Sequence, residues 1–232
     1  MSTVLVTGAN RGLGLEFVRQ YLDAGWHVIA CTRKPDAAEL AQLDQSNLQI
    51  FALEVTDHAA VDVLAQQLAD TAIDVLVNNA GTTGPKGAPE CMEYSGHDNM
   101  DYDIWREIME VNLLGAFKVA TAFRPHVEAA ERGVLLNMSS DLGSMGQNTM
   151  GNLYSYRASK TALNMMTKGF GIEWPRIICI AMAPGWCKTD LGGMGAEIEP
   201  FDSVRDQIET IAKLTPTHSG NFIDRFGESV VL

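Results

Sequence analysis

Tyr156 and Lys160 stand four residues apart in Tyr154-Ser155-Tyr156-Arg157-Ala158-Ser159-Lys160. On a helix, that spacing places both side chains on one face. A phenol ordinarily keeps its proton up to a pKa near ~10, too tightly for efficient exchange at neutral pH. An ammonium ~4–5 Å away would favour the phenolate by roughly 3–4 kcal/mol at an effective dielectric near 20, lowering the phenol by up to ~2–3 pH units. The pair is then suited to giving a proton to an oxygen or taking one from it. Tyr-x-x-x-Lys alone equally describes an ordinary exposed helix face, so its setting decides. Tyr154 is unsuited to the same part, because Ala158 occupies the position four residues on.

A second chemical feature lies near the N-terminus, in Thr7-Gly8-Ala9-Asn10-Arg11-Gly12-Leu13-Gly14. It follows an apolar strand-like run and precedes a helical pattern. Gly8 suits a tight turn, Gly12 a close backbone approach to a pyrophosphate, and Gly14 close helix packing. The helix start offers unpaired N–H donors and a positive dipole end to phosphates. A free ribose 2′-hydroxyl is usually met by an acidic residue at the end of the second strand. Here that stretch is Cys31-Thr32-Arg33-Lys34, without a carboxylate. Arg33 lies about 20 residues past Gly14, where the acid is expected, and Arg11 sits inside the loop. Two guanidinium forks match a 2′-phosphate, so the expected cofactor is NADP(H) rather than NAD(H).

The elements that must position these groups alternate along the chain. Strand-like runs fall at Val4–Val6, His27–Cys31, Leu48–Leu53, Asp74–Val77, Val134–Met138 and Ile177–Met182, with a weaker one at Asn221–Ile223. Helix-length patterns fall at Leu13–Ala24, Ala37–Leu43, His58–Asp70, Ile104–Val127, Ser155–Glu173 and Ser203–Lys213. Such alternation predicts an α/β fold, a doubly wound parallel sheet of Rossmann type with about seven strands and helices on both faces. Gly25 is placed to end the first helix, Asp57 to cap the third, and Pro175 to stop the long helix before the sixth strand. The irregular stretches Thr82–Asp101, Asp141–Leu153 and Trp186–Asp202 all follow strands, where ligands of an open parallel sheet bind. No linker or repeat divides the chain, so residues 1–232 are expected to form one domain.

Composition narrows the partners. The 232 residues carry 17 Lys and Arg against 29 Asp and Glu, a net charge of −12 without a basic run. Nucleic acid and anionic membranes need clustered cations and are not expected. No apolar stretch approaches the ~20 residues of a membrane span, and no signal-peptide core is evident. Cys31, Cys91, Cys179 and Cys187 are scattered, which suits free thiols in a reducing cytoplasm. The five histidines show no metal spacing. Trp186, Met145, Met194 and Tyr154 are candidates for an apolar substrate wall, with ordinary packing an equal alternative. Cys187 is expected to react with alkylating reagents but not to act in catalysis.

Taken in order, the motifs resemble the short-chain dehydrogenase/reductase family along essentially the whole chain. They are the glycine loop Thr7–Gly14, Asn78-Asn79-Ala80-Gly81, Asn112 in Val-Asn-Leu-Leu-Gly, Ser139-Ser140, Tyr156 with Lys160, and Pro184-Gly185. Within the family, Asn10–Gly14, the Tyr-Arg-Ala-Ser-Lys run and Pro184–Asp190 look most like the C-factor and sniffer-type carbonyl reductase branch.

The resemblance implies roles. Tyr156 would protonate the substrate oxygen as hydride arrives from the nicotinamide. Lys160 would lower the Tyr156 pKa and hold the nicotinamide ribose. Ser140 would hydrogen-bond the carbonyl oxygen, with Ser139 the alternative, and Asn112 would hold a water that links Lys160 to solvent. Gly8, Asn10, Arg11, Gly12, Leu13, Gly14 and Arg33 would bind the phosphates. Asn79, Ala80 and Gly81 would line the adenosine-side ribose, and Pro184, Gly185 and Thr189 the nicotinamide carboxamide. Glu54-Val55 replaces the Asp-Val that usually meets adenine. The Ser140–Tyr156 gap is long and Trp174–Ile177 abbreviated, which leaves the substrate lid undefined. The expected function is reversible NADPH-dependent reduction of an aldehyde, ketone or quinone. A nucleotide-binding signalling protein with little turnover is the rival. A homodimer or homotetramer is expected through the two long helices.

Overall fold

Apolar residues alternate with helical stretches, and the computed structural model, which describes residues 1–43, 46–193 and 195–232, folds them into one parallel sheet. Its strands are β1 Thr3–Thr7, β2 His27–Thr32, β3 Leu48–Ala52, β4 Val75–Asn78, β5 Gly133–Met138, β6 Ile177–Ala183 and β7 Asn221–Asp224. Among the described residues the order across the sheet is β3-β2-β1-β4-β5-β6-β7, every neighbouring pair parallel. Parallel neighbours require crossovers. Helix α1 (Gly12–Asp23) joins β1 to β2, α2 (Ala38–Ala41) joins β2 to β3, and α3 (His58–Gln67) joins β3 to β4. Helices α4 (Tyr102–Met109) and α5 (Ala116–Glu128) lie between β4 and β5, α6 (Tyr154–Glu173) between β5 and β6, and α7 (Pro200–Lys213) between β6 and β7. The chain runs outward from β1 to β3, then restarts on the other side of β1 with β4. That reversal opens a crevice at the carboxyl ends of β1 and β4.

Successive strand side chains point to opposite faces, and both faces are buried. Val4, Val6, Val77, Leu136 and Ile180 pack with Phe17, Val18 and Tyr21 of α1 and with Val204 and Ile211 of α7. Leu5, Leu76, Leu135 and Cys179 pack with Val61 of α3, Phe123 of α5 and Phe170 of α6. Each such side chain contributes ~1.5–3 kcal/mol of apolar burial.

The expected helix stops hold. Gly25 (φ 77°) follows α1, and its N–H donates to Leu22 O while Trp26 N–H donates to Tyr21 O, a left-handed C-terminal closure that glycine adopts without strain. Asp57 caps α3 by accepting from Ala60 N–H at 3.0 Å. Helix α7 begins earlier than the pattern suggests, because Pro200 sits in its first turn, where its missing N–H costs nothing. The long helix expected over Ile104–Val127 is interrupted: Glu110–Gly115 forms a π-helical turn between α4 and α5. Within that turn lies Asn112, buried and hydrogen-bonded to Thr82 and Ser159 in the site described below.

Candidate active site

Glycine geometry builds the first wall of the crevice. Gly8 (φ 66°) and Gly12 (φ 55°) both occupy left-handed backbone, which residues with a Cβ rarely adopt. Gly14 lies beneath them, and a Cβ there would overlap the Gly8 carbonyl and stand 2.5 Å from Asn79 Nδ2. Asn79 clamps the loop, its Nδ2 donating to Thr7 O at 2.9 Å and Gly8 O at 3.3 Å. Thr7 Oγ1 answers by accepting from Asn79 N–H and Ala80 N–H, both at 3.1 Å. Asn10 Oδ1 accepts from Thr32 Oγ1 at 2.8 Å, tying the loop to the end of β2. Helix α1 has no side-chain cap at Arg11, so its first N–H groups remain available to an anion.

The crevice has a volume of about 720 Å³ and runs from Gly8, Asn10, Arg11, Gly12 and Leu13 past Asn79, Ala80 and Gly81 to Tyr156, Lys160, Pro184 and Thr189. Arg33, Glu54 and Val55 line its other end. Gly14, Asn112, Ser140 and Gly185, also expected in the site, are not among the residues that line it. Gly185 (φ 80°) turns the chain after β6, and a Cβ there would strike Ile198 and the Arg225 guanidinium. A glycine cradle, uncapped helix N–H groups and guanidinium groups along one elongated crevice fit a dinucleotide with phosphates.

At the far end, α6 carries Tyr156 and Lys160 on one face, as their spacing predicts. Both are buried, with Lys160 Nζ 5.5 Å from the Tyr156 ring centre. Lys160 donates to Met138 O at 2.8 Å. Burial holds its pKa down to about 8, because an ammonium loses hydration there. Burial also pushes the Tyr156 phenol up to about 12, with the nearby Ser140 side chain acting in the opposite direction. The direction is opposite to that expected from a neighbouring Lys160 ammonium, because desolvation is the largest influence on the phenol. Ser140 is the serine that meets Tyr156. Ser139 is buried with its Oγ donating to Asn164 Oδ1 at 2.6 Å.

Asn112 is buried in the π-helical turn. Its Oδ1 accepts from Thr82 N–H at 2.8 Å, and its Nδ2 donates to Thr82 O at 2.9 Å and Ser159 Oγ at 3.0 Å. Both Nδ2 hydrogens are therefore used, and a spare Oδ1 lone pair is what the side chain can still offer a water. A Cβ on Gly81 would come within 3.4 Å of Asn112 Oδ1 and 3.5 Å of Lys160 Nζ.

Arg33 and Arg11 reach the crevice but are paired. Arg33 Nη1 lies 3.4 Å from Glu54 Oε2, and Arg11 Nη1 lies 2.5 Å from Asp190 Oδ2. All four side chains are exposed, so these pairs are weak and can exchange for a phosphate. Glu54 thus acts as the partner of Arg33. Thr7, Thr32, Thr82 and Ser159 also belong to the framework, through contacts with residues distant in sequence. Cys187 is buried, with burial raising its thiol, which makes it a poor target for alkylation. Trp186, Met145 and Tyr154 are exposed; Met194 lies outside the described residues.

Comparison with known proteins agrees with this geometry. The family model for short chain dehydrogenases matches residues 2–197. C-signal of Myxococcus xanthus is 33% identical over 160 residues, covering 68% of this chain and 92% of that relative. The structure of the carbonyl reductase Sniffer of D. melanogaster superposes with a TM-score of 0.91 at 31% identity, over 100% of both chains. The NADPH-bound carbonyl reductase from chicken fatty liver superposes with a TM-score of 0.89 at 30% identity, over 100% of this chain and 99% of that one. With its crevice at the β1/β4 reversal and its tyrosine and lysine on α6, this chain belongs to the short-chain dehydrogenase/reductase family of oxidoreductases, on the branch of C-signal and Sniffer.

Proposed function

We propose that residues 1–232 act as one nucleotide-binding domain whose activity is NADPH-dependent reduction of an aldehyde, ketone or quinone to the alcohol. The observation that carries this reading is the pairing of buried Tyr156 and Lys160 at one end of a crevice that starts at the glycine loop. Arg33 and Arg11 at the other end favour a cofactor with a 2′-phosphate, and the chicken reductase with its NADPH supports the same choice. A nicotinamide dinucleotide supplies the hydride when bound.

The chain's own residues handle the oxygen. As negative charge develops there, Tyr156 delivers its proton and Ser140 donates a hydrogen bond; one preplaced donor of this kind is worth ~3–4 kcal/mol. The phenolate left behind has the Lys160 ammonium beside its ring, 5.5 Å from the ring centre, and their attraction favours the charged oxygen. That attraction offsets the burial that otherwise keeps the phenol protonated. Asn112 fixes Thr82 and Ser159 around Lys160, and Gly81 keeps the space between them open. Leu114 and Phe117 near the start of α5 and Met165 and Ile172 on α6 are exposed, which supports pairing of copies through these helices. Among the described residues no helix is long and apolar enough to cross a membrane, and four free cysteines suit a reducing, cytoplasmic setting.

Likeness to C-signal supports a second reading, in which the nucleotide is bound for signalling and turnover is incidental. The test is NADPH consumption against aldehydes, ketones, quinones and diketones, with Tyr156→Phe beside it. The reductase reading expects turnover that Tyr156→Phe abolishes without loss of NADPH binding. Tight binding without turnover on any of the panel favours the signalling reading.

A further inference from the structure

The stretch between β5 and α6 carries Ser140 and delivers the chain to Tyr156, yet none of the motifs explains what holds it. Asn152 and Leu153, directly ahead of α6, both lie in left-handed backbone, with φ of 56° and 51°. Residues with a Cβ hold that conformation only where their surroundings impose it. Local contacts help: Asn152 Oδ1 accepts from Leu153 N–H at 2.6 Å, and Tyr154 N–H donates to Ser95 O at 3.1 Å. Thr161 Oγ1 and Asn164 Nδ2 hold Gly143 O at 3.0 Å and 3.3 Å.

Arg157 does something different. It follows Tyr156 immediately and is buried, 9% exposed. Its Nε donates to Asn152 O at 3.1 Å, and its Nη1 reaches Leu142 O at 3.5 Å. One guanidinium thus bridges the beginning and the end of the same stretch. Leu142 N–H in turn donates to Ser140 Oγ at 3.1 Å, and the Ser140 side chain is near enough to Tyr156 to influence its phenol. Burying a cation against neutral carbonyls is costly, and burial accordingly depresses this guanidinium's proton affinity. An aliphatic residue would fill the helix position at no such cost.

We propose that Arg157 is a positioning residue, whose guanidinium clasps both ends of the Ser140–Leu153 stretch and so holds the Ser140 hydroxyl against Tyr156. This rests on the reading of Ser140 and Tyr156 as the pair that serves the substrate oxygen. The groups facing Tyr156 are Ser140 from the end of β5, Lys160 on its own helix, and Cys91 from the segment after β4. Of the influences on the phenol, the nearby Ser140 side chain is the one that lowers its pKa, so releasing the clasp raises it.

Arg157→Met and Arg157→Lys test the clasp. Hydrogen exchange is measured over residues 140–153 and over the glycine loop, and Tyr156 ionisation by absorbance against Tyr156→Phe. Alcohol oxidation is followed across pH, because oxidation needs the phenolate. In Arg157→Met, exchange over 140–153 rises about tenfold while the glycine loop and the NADPH affinity stay as they were. The Tyr156 titration and the oxidation profile move to higher pH and kcat falls. Arg157→Lys, which can serve one carbonyl at a time, recovers part of each. Wild-type exchange and titration in Arg157→Met overturn the proposal; should that variant not fold, the same result in Arg157→Lys overturns it. Loss of folding stability with an unmoved titration also overturns it, since packing alone would then explain Arg157. Absence of turnover in the unaltered protein would defeat the reductase reading, while exchange and titration would still decide the clasp.

Discussion

Lys160→Met should expose a stability cost that this lysine imposes on the folded chain. Burial lowers the Lys160 pKa from an ordinary 10.5 to about 8. Below pH ~8 the ammonium exists in both folded and unfolded chains, and the folded chain bears the full cost, about 3 kcal/mol for a pKa displaced that far. Between the two values the unfolded chain binds more protons, so stability rises with pH; above 10.5 both states are neutral and the cost is gone. From pH 7 to pH 9.5 the gain is about 2 kcal/mol. Methionine removes the charge but leaves Met138 O without the donor it has at 2.8 Å, a loss of ~1–3 kcal/mol. The two effects nearly cancel at pH 7, where the variant should be as stable as the wild type or slightly more so. By pH 9.5 the wild type should have gained about 2 kcal/mol on it. Tyr156 does not disturb this window, because its raised pKa lowers stability only above pH ~10. Urea unfolding of the cofactor-free proteins at both pH values gives the comparison. A difference between the two proteins that does not change with pH would refute the desolvation argument.

Other substitutions probe the cofactor end. Arg33→Asp sets a carboxylate beside Glu54 in place of the present ion pair; NADPH affinity should fall about 10- to 100-fold while NADH affinity holds or rises, as read by fluorescence titration. Gly14→Ala would push a methyl group into the Gly8 carbonyl and Asn79 Nδ2. It should lower stability by ~1–3 kcal/mol and weaken binding of both NADPH and NADH, measured by thermal unfolding and the same titration.

Much of the fold was legible because each strand carries a short apolar run and each helix an independent stop, as at Gly25, Asp57 and Pro175. The glycine loop and the Tyr156–Lys160 pair were legible because their chemistry depends on local spacing, and Asn79 because it stands in a recognisable motif. What escaped depends on long-range contact. The π-helical turn at Asn112 goes with hydrogen bonds to Thr82 and Ser159, which no helical period encodes. Arg157 stands inside a familiar motif, yet its partners Leu142 and Asn152 are set by the path of the chain before α6. The direction of the Tyr156 pKa was misjudged for a related reason: spacing reveals a neighbouring lysine but not the depth of burial. Ser140 is the serine expected from the sequence, and the inward turn of Ser139 to Asn164 agrees with that choice.

The central claim is that hydride passes to a carbonyl carbon in this crevice while Tyr156 supplies the proton. Deuterium at the nicotinamide C4 of NADPH, followed by NMR into the product alcohol, tests it most directly. Label should appear on the carbinol carbon with the wild-type protein and fall at least ~100-fold in rate with Tyr156→Phe, at unchanged NADPH affinity. Label transfer at wild-type rate by Tyr156→Phe would contradict the account.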